Sequence, residues 1–214
     1  MEKVFAVVSG NMGVGKSTLV EKLAAKLGWK AVFEPQDENP YLADFYQDME
    51  RWALPSQCFF LGRRLKQYRE IMAGPQNALQ DRCVYEDANV FARNLHEQGK
   101  IPERDWRVYQ SIYEGVIQFV PPPNLLIYLQ ADLATLQRRI EQRGREYERQ
   151  IPLDYLRGLQ RLYENWIQNY RLSPVLVVTT DWLDFVKEES HLELVARKVM
   201  DKLSGHETLD FSSP

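Results

Sequence analysis

Two hydrophobic periods alternate along this chain. Short runs rich in β-branched and aromatic residues stand at 3–9 (KVFAVVS), 30–33 (KAVF), 125–129 (LLIYL) and 174–179 (PVLVVT), and they read as buried strands. Between them apolar positions recur at helical spacing. Residues 17–27 carry Leu19, Val20, Leu23, Ala24 and Leu27; 104–119 carry Trp106, Tyr109, Ile112, Val116 and Phe119; 153–170 carry Leu156, Leu159, Trp166 and Ile167. Further helices are predicted over 40–51, over 56–73 opened by Pro55 and stopped by Gly74-Pro75, over 84–97 closed by Gly99, and over 133–142 and 192–203. A fifth strand, 77–82 (NALQDR), is weak by propensity and rests on its place between two helices.

Strands separated by helices force a parallel sheet, because each return to the same sheet needs a crossover. The expected fold is three-layer α/β, a five-stranded parallel sheet flanked by helices, in one domain over 1–204. A polar tail over 205–214 is expected to be loose. At 214 residues, 44% hydrophobic and 27% charged, the chain is long enough for a substantial core. A net charge of -3 gives no basic footprint for nucleic acid. No apolar run approaches the ~20 residues of a membrane span, and a first strand beginning at residue 3 argues against a signal peptide. Cys58 and Cys83 lie in apolar surroundings along the sequence with no C-x-x-C pair and no clustered histidines, so neither a disulfide framework nor a zinc site is expected. The expected compartment is reducing and cytoplasmic.

Chemistry concentrates where the strands end, since parallel strands present ligands at their C-terminal edge. Gly10-Asn11-Met12-Gly13-Val14-Gly15-Lys16-Ser17 is a G-x-x-x-x-G-K-S sequence between a strand and a helix. Its glycines let the backbone curl many N–H donors around a polyphosphate, Lys16 reaches the β and γ phosphates, and Ser17 holds Mg²⁺. Glu34, after the second strand, stands beside that loop as either a general base for an attacking hydroxyl or a loop carboxylate that caps. Asp81-Arg82 ends the third strand and offers a carboxylate for Mg²⁺ and a guanidinium for phosphoryl oxygens, or else a surface ion pair. The run Arg138, Arg139, Arg143, Arg145, with Glu146 and Glu148, fits an arginine-bearing lid closing over ATP, against the alternative of a solvated helix face. Gln57 and Arg64, two turns apart, share a helix face, and a glutamine amide suits a nucleobase edge.

Taken together these residues resemble the deoxynucleoside kinase family of phosphate-loop enzymes, nearest its bacterial purine-type members, over nearly the whole chain. The resemblance rests on the glycine loop with Thr18, on Glu34-Pro35, on Asn39-Pro40-Tyr41-Leu42 with Phe45-Tyr46, and on Gln57, Phe60-Leu61 and Arg64. It continues through Asp81-Arg82, Tyr85-Glu86-Asp87, Val90-Phe91, and Arg143-Gly144-Arg145 leading into Ile151-Pro152-Leu153. It implies that Glu34 is the general base for the nucleoside 5′-hydroxyl, with Arg82 supporting it, and that Asp81 lies close to Mg²⁺. Tyr46 and Glu148 are implied to hold the sugar 3′-hydroxyl, and Arg139, Arg143 and Arg145 to grip donor phosphates. Gln57, Arg64 and Asp87 are implied to read the base between Phe60 and Phe91. Asp87 can accept from the amine of adenine or cytosine, and Arg64 can donate to a purine N7 or a guanine carbonyl. These contacts leave purine versus cytosine open. The resemblance favours deoxyadenosine and deoxyguanosine with deoxycytidine possible, and it implies that thymidine is a poor substrate, because family members that prefer thymidine lack this Asp and Arg arrangement. The family also implies a homodimer through the helices around 84–97 and 104–119. One departure is Cys83, where the family usually has serine, a better helix cap.

Two rivals remain at this stage. A nucleoside monophosphate kinase of the thymidylate kinase kind shares the fold, but typically has arginine before its Glu-Pro where this chain has Phe33. A phosphate-loop ATPase switch module would turn over ATP without an acceptor and leave Tyr46, Gln57 and Asp87 unexplained.

Overall fold

Strand β1 (Phe5–Gly10) is buried at every position and lies at the middle of the sheet. In the computed structural model, which describes residues 3–34, 38–145, 148, 151–185 and 187–205, it pairs in parallel with β3 (Ala78–Asp81) on one side and β4 (Leu125–Gln130) on the other. β2 (Lys30–Val32) and β5 (Val175–Thr179) complete the order β2-β3-β1-β4-β5, all parallel. The weakest strand expectation, 77–82, is thus an interior strand between β2 and β1. Asn77 helps to place it, because its side-chain oxygen accepts from Val4 N–H at 2.9 Å.

The period of two along the strands sorts the core into layers. Ala6 and Val8 of β1, with Leu125, Ile127 and Leu129 of β4, face α1 (Lys16–Leu27) and α9 (Glu189–Leu203). Phe5, Val7 and Leu126 face the opposite way. There they meet side chains of α3 (Met49–Ala73), α6 (Glu103–Ile117) and α8 (Leu153–Asn169). α7 (Leu133–Arg143) follows β4 and is capped by Asp132, whose side chain accepts from Thr135 N–H.

Three helical expectations change. The helix expected over 40–51 is split into α2 (Leu42–Gln47) and α3, because Asp48 leaves helical geometry at φ −141° and caps α3 through Arg51 N–H at 3.1 Å. Pro55 therefore lies inside α3 instead of opening it. The helix expected over 84–97 begins as α4 (Val84–Glu86), widens to a π-helix over Asp87–Ala92, and resumes as α5 (Arg93–Glu97). Cys58 is exposed on α3, contrary to its apolar sequence surroundings, whereas Cys83 is buried and both thiols are free. Gly205 closes the last helix at φ +74°, and the remaining tail, 206–214, lies outside the described residues.

Candidate active site

The phosphate loop owes its shape to close approaches. A Cβ on Gly10 would lie 2.4 Å from the Leu129 carbonyl oxygen, and one on Gly13, at φ +79°, would lie 2.7 Å from that of Leu136. Asn11 ties the loop to α8 by donating to the Leu156 carbonyl at 3.2 Å. Lys16 folds over the loop and donates to the carbonyls of Gly10 at 2.9 Å and Asn11 at 3.0 Å. Burial, and then the cation of Arg82, lower its pKa to about 8. Met12, Val14, Gly15 and Thr18 join Lys16 along a cavity of about 770 Å³, which Arg143 and Arg145 line from the other side.

At the inner end of this cavity Ser17 Oγ donates to Asp81 Oδ2 at 2.5 Å, while Asp81 Oδ1 is buried with no hydrogen-bond partner. Oxygen donors placed so, with room for phosphate and water, fit Mg²⁺, which takes only one or two protein oxygens in such sites. No cluster of three or more metal-ligating side chains occurs among the described residues.

Arg82 follows β3 at φ +66° and aims its guanidinium along the cavity floor. Its Nη1 donates to Glu34 Oε1 at 2.7 Å, and its Nε is buried without a partner, a donor available to an anion. Burial opposes its charge, but Glu34 more than restores it and raises the pKa. Glu34, with its side chain 4% exposed, also receives Arg64 Nη2 at 3.2 Å. Arg64 in turn gives Nε to Asp87 Oδ2 at 3.0 Å and Nη1 to the Asp81 carbonyl at 2.8 Å. The guanidinium expected to read a base is thus largely committed to protein acceptors. Burial raises the pKa of Asp87 against the pull of Arg64.

A second, narrower cavity of about 30 Å³ adjoins the first, lined by Tyr46, Gln57, Phe60, Arg82, Asp87, Phe91 and Glu148. It has room for little more than water, so a nucleoside enters only as its walls part. The π-helix contributes two of these walls at once, Asp87 and Phe91. The Arg82 guanidinium lies 4.0 Å above the Phe91 ring, and Gln57 is buried at 4% exposed. Glu148 receives Arg143 Nε at 2.9 Å and Nη2 at 2.7 and 2.6 Å, and Arg145 Nη1 at 3.4 Å. Glu146 of the same charged run lies outside the described residues. Arg139 lines the larger cavity as well, and it donates to Val14 O and to Thr180 Oγ1 and O at 3.2, 3.0 and 2.7 Å, clasping α7 to the phosphate loop and the end of β5.

Several participants escaped sequence reading. Glu86 is fully buried, and its Oε1 accepts the Cys83 N–H at 2.8 Å, the glutamate's half of a capping box at this helix start. The spacing C-x-x-E was the available signal, since it is that of a capping box. The segment after β5, including Asp181, exposed Trp182 and Asp184, lines the larger cavity. Its place beyond a strand's C-terminal end was the available clue.

A glycine loop with a buried lysine, a carboxylate between two arginines and an adjoining aromatic pocket define a phosphate-loop phosphotransferase with a small acceptor. A model of the deoxynucleoside kinase family matches residues 6–204, and the chain belongs to that family. It is 39% identical to the deoxyadenosine/deoxycytidine kinase of Bacillus subtilis (strain 168), over 90% of this chain and 89% of that one. It is 35% identical to the deoxyadenosine kinase of Lactobacillus acidophilus, over 92% and 95%. Deoxyadenosine kinase from M. mycoides with bound dATP superposes with a TM-score of 0.81 at 28% identity, over 92% of this chain and 99% of that one. The protein is an ATP-dependent deoxynucleoside kinase, and the monophosphate kinase and ATPase switch readings fall away.

Proposed function

We propose that this enzyme transfers the γ-phosphoryl of MgATP to the 5′-hydroxyl of an amine-bearing deoxynucleoside, deoxyadenosine first and deoxycytidine next, in nucleotide salvage. The observation that carries the proposal is the chain Glu34–Arg64–Asp87, which joins a carboxylate beside the phosphate loop to one in the acceptor pocket. Glu34 accepts the 5′-hydroxyl proton as that oxygen bonds to phosphorus and the bond to the ADP oxygen breaks. Lys16, the loop N–H groups and Arg82 face the phosphoryl oxygens, with Arg143 and Arg145 above them. Ser17 and Asp81 would hold Mg²⁺, which neutralises phosphate charge. Tyr46 and Glu148 receive the 3′-hydroxyl. Because Arg64 is occupied, Asp87 and Gln57 read the base edge, and an acceptor carboxylate favours an exocyclic amine over the guanine carbonyl. This places deoxyguanosine behind deoxyadenosine.

Labelled ATP with Mg²⁺ offered to the four deoxynucleosides and to their monophosphates tests the reading. Label in deoxyadenosine monophosphate, at higher kcat/KM than in the guanosine product, supports it; transfer only to monophosphate acceptors overturns it.

We further infer a homodimer. Val108, Ile112 and Phe119 are 54%, 47% and 77% exposed on or just beyond α6, at spacings that share one helix face. Ile112→Glu should convert the dimer to monomer in light scattering; unchanged mass would remove this face from the interface. No described helix is long and apolar enough to cross a membrane, and free thiols suit a reducing cytoplasm.

A further inference from the structure

Glu86 is 0% exposed, and the phosphoryl-transfer reading gives it no task. Its carboxylate is nevertheless shared among three elements. Oε1 accepts from Ser9 Oγ at 3.0 Å and from Cys83 N–H at 2.8 Å, and Oε2 accepts from Tyr163 Oη at 2.6 Å. Ser9 directly precedes Gly10, whose carbonyl holds Lys16. Cys83 directly follows Arg82. Tyr163 belongs to α8, the helix that receives Asn11 of the loop. A buried carboxylate is expensive to desolvate, and a position that needed only filling would be served by an apolar side chain.

The backbone of Arg82 shows what the carboxylate does. Among the described residues Arg82 is the one non-glycine residue at positive φ, a conformation that costs energy and persists only where surrounding structure imposes it. It is held from both sides. Its own N–H donates to the Val8 carbonyl at 2.9 Å, and the next N–H donates to Glu86. Without the acceptor for the Cys83 N–H, one of the two bonds that flank this strained residue would be gone, and the strain would favour a return to ordinary φ, which would turn the guanidinium from Glu34.

We infer that Glu86 is a positioning residue for phosphoryl transfer: one carboxylate fixes the root of the phosphate loop through Ser9 and the strained backbone of Arg82 through Cys83. The inference rests on the kinase reading, which the wild-type assay tests by itself. Glu86 also acts on the charges of Lys16 and Arg82, and burial pushes its own pKa up to about 7 against their pull.

Steady-state kinetics of Glu86→Ala and Glu86→Gln, with thermal unfolding alongside, test it. Glu86→Ala should lower kcat at least about tenfold with nucleoside KM changed less than about threefold, because Gln57 and Asp87 are untouched. Glu86→Gln keeps an acceptor for the Cys83 N–H and should recover most of the loss. A smaller fall in Glu86→Ala, a nucleoside KM that rises in step with it, or no recovery in Glu86→Gln overturns the inference. If Glu86→Ala does not fold, Ser9→Ala decides. It should lose kcat about fivefold with nucleoside KM unchanged, and wild-type turnover there overturns the inference.

Discussion

Glu148 holds Arg143 on both carboxylate oxygens, at 2.7 and 2.6 Å, although Glu148 lines the acceptor pocket and Arg143 the donor cavity. The pair joins the linings of the two cavities, so on the proposed assignment of donor and acceptor one ion pair would sense both. Glu148→Gln should raise nucleoside KM about tenfold and also raise the KM for ATP, while Arg143→Ala does the converse. A double-mutant cycle should then give a coupling of about 1–3 kcal/mol. Additive effects would show that the two residues act separately.

Glu34 sits between Arg82 and Arg64 and lines the larger cavity, whereas Gln57 and Asp87 line the narrower one. Glu34→Gln should therefore lower kcat by about 10²–10⁴ while nucleoside affinity, measured by titration calorimetry, changes little. Turnover near wild type would remove it from the base role. Loss of nucleoside binding instead would make it a recognition residue.

Base choice should follow Asp87. Its carboxylate is oriented by Arg64, whose Nε is 3.0 Å away, and its amide analogue would offer a donor where an acceptor stands. Asp87→Asn should cut kcat/KM for deoxyadenosine and shift the deoxyadenosine-to-deoxyguanosine ratio about tenfold or more toward deoxyguanosine. Competition between the two substrates measures that ratio, and an unchanged value would place base reading elsewhere.

The parts legible in the sequence were those with a local cause. The glycine loop announces itself because only glycine tolerates a carbonyl 2.4 Å from a Cβ, as Gly10 does beside Leu129. β1, β4 and β5 were visible as apolar runs, and their parallel pairing followed from the intervening helices. What the sequence hid depends on three-dimensional partners. Nothing in 40–51 shows that Asp48 caps a new helix instead of lying inside one, and only the fold shows the π-helix at 87–92, which sets Asp87 and Phe91 on one pocket. Arg64 is the clearest case. Its type and spacing suggest a base reader, and only the fold shows Asp87, Glu34 and the Asp81 carbonyl absorbing its donors. Glu86 was passed over because its three partners lie on β1, α8 and the turn after β3.

Lys16 gives nucleotide binding a pH signature. Burial and the neighbouring Arg82 hold its pKa at about 8 before any nucleotide is present, well below the ordinary lysine value of 10.5. Polyphosphate against the ammonium favours the protonated form, so the pKa rises on binding. Above about pH 8 the free lysine is increasingly neutral, and binding must then draw a proton from solution. Affinity should accordingly fall as pH climbs from about 8 to 9, by up to about tenfold per pH unit. Glu86, at about 7, contributes below this range, not within it. Calorimetry of ADP binding at pH 7.5 and 9 in buffers of different ionisation enthalpy reads the uptake directly. We expect about a quarter of a proton at pH 7.5 and about nine-tenths at pH 9, abolished in Lys16→Met. Equal uptake at both values would mean that Lys16 keeps its charge in the free enzyme, and that the carboxylates of Asp81, Glu86 and Glu34 outweigh its burial.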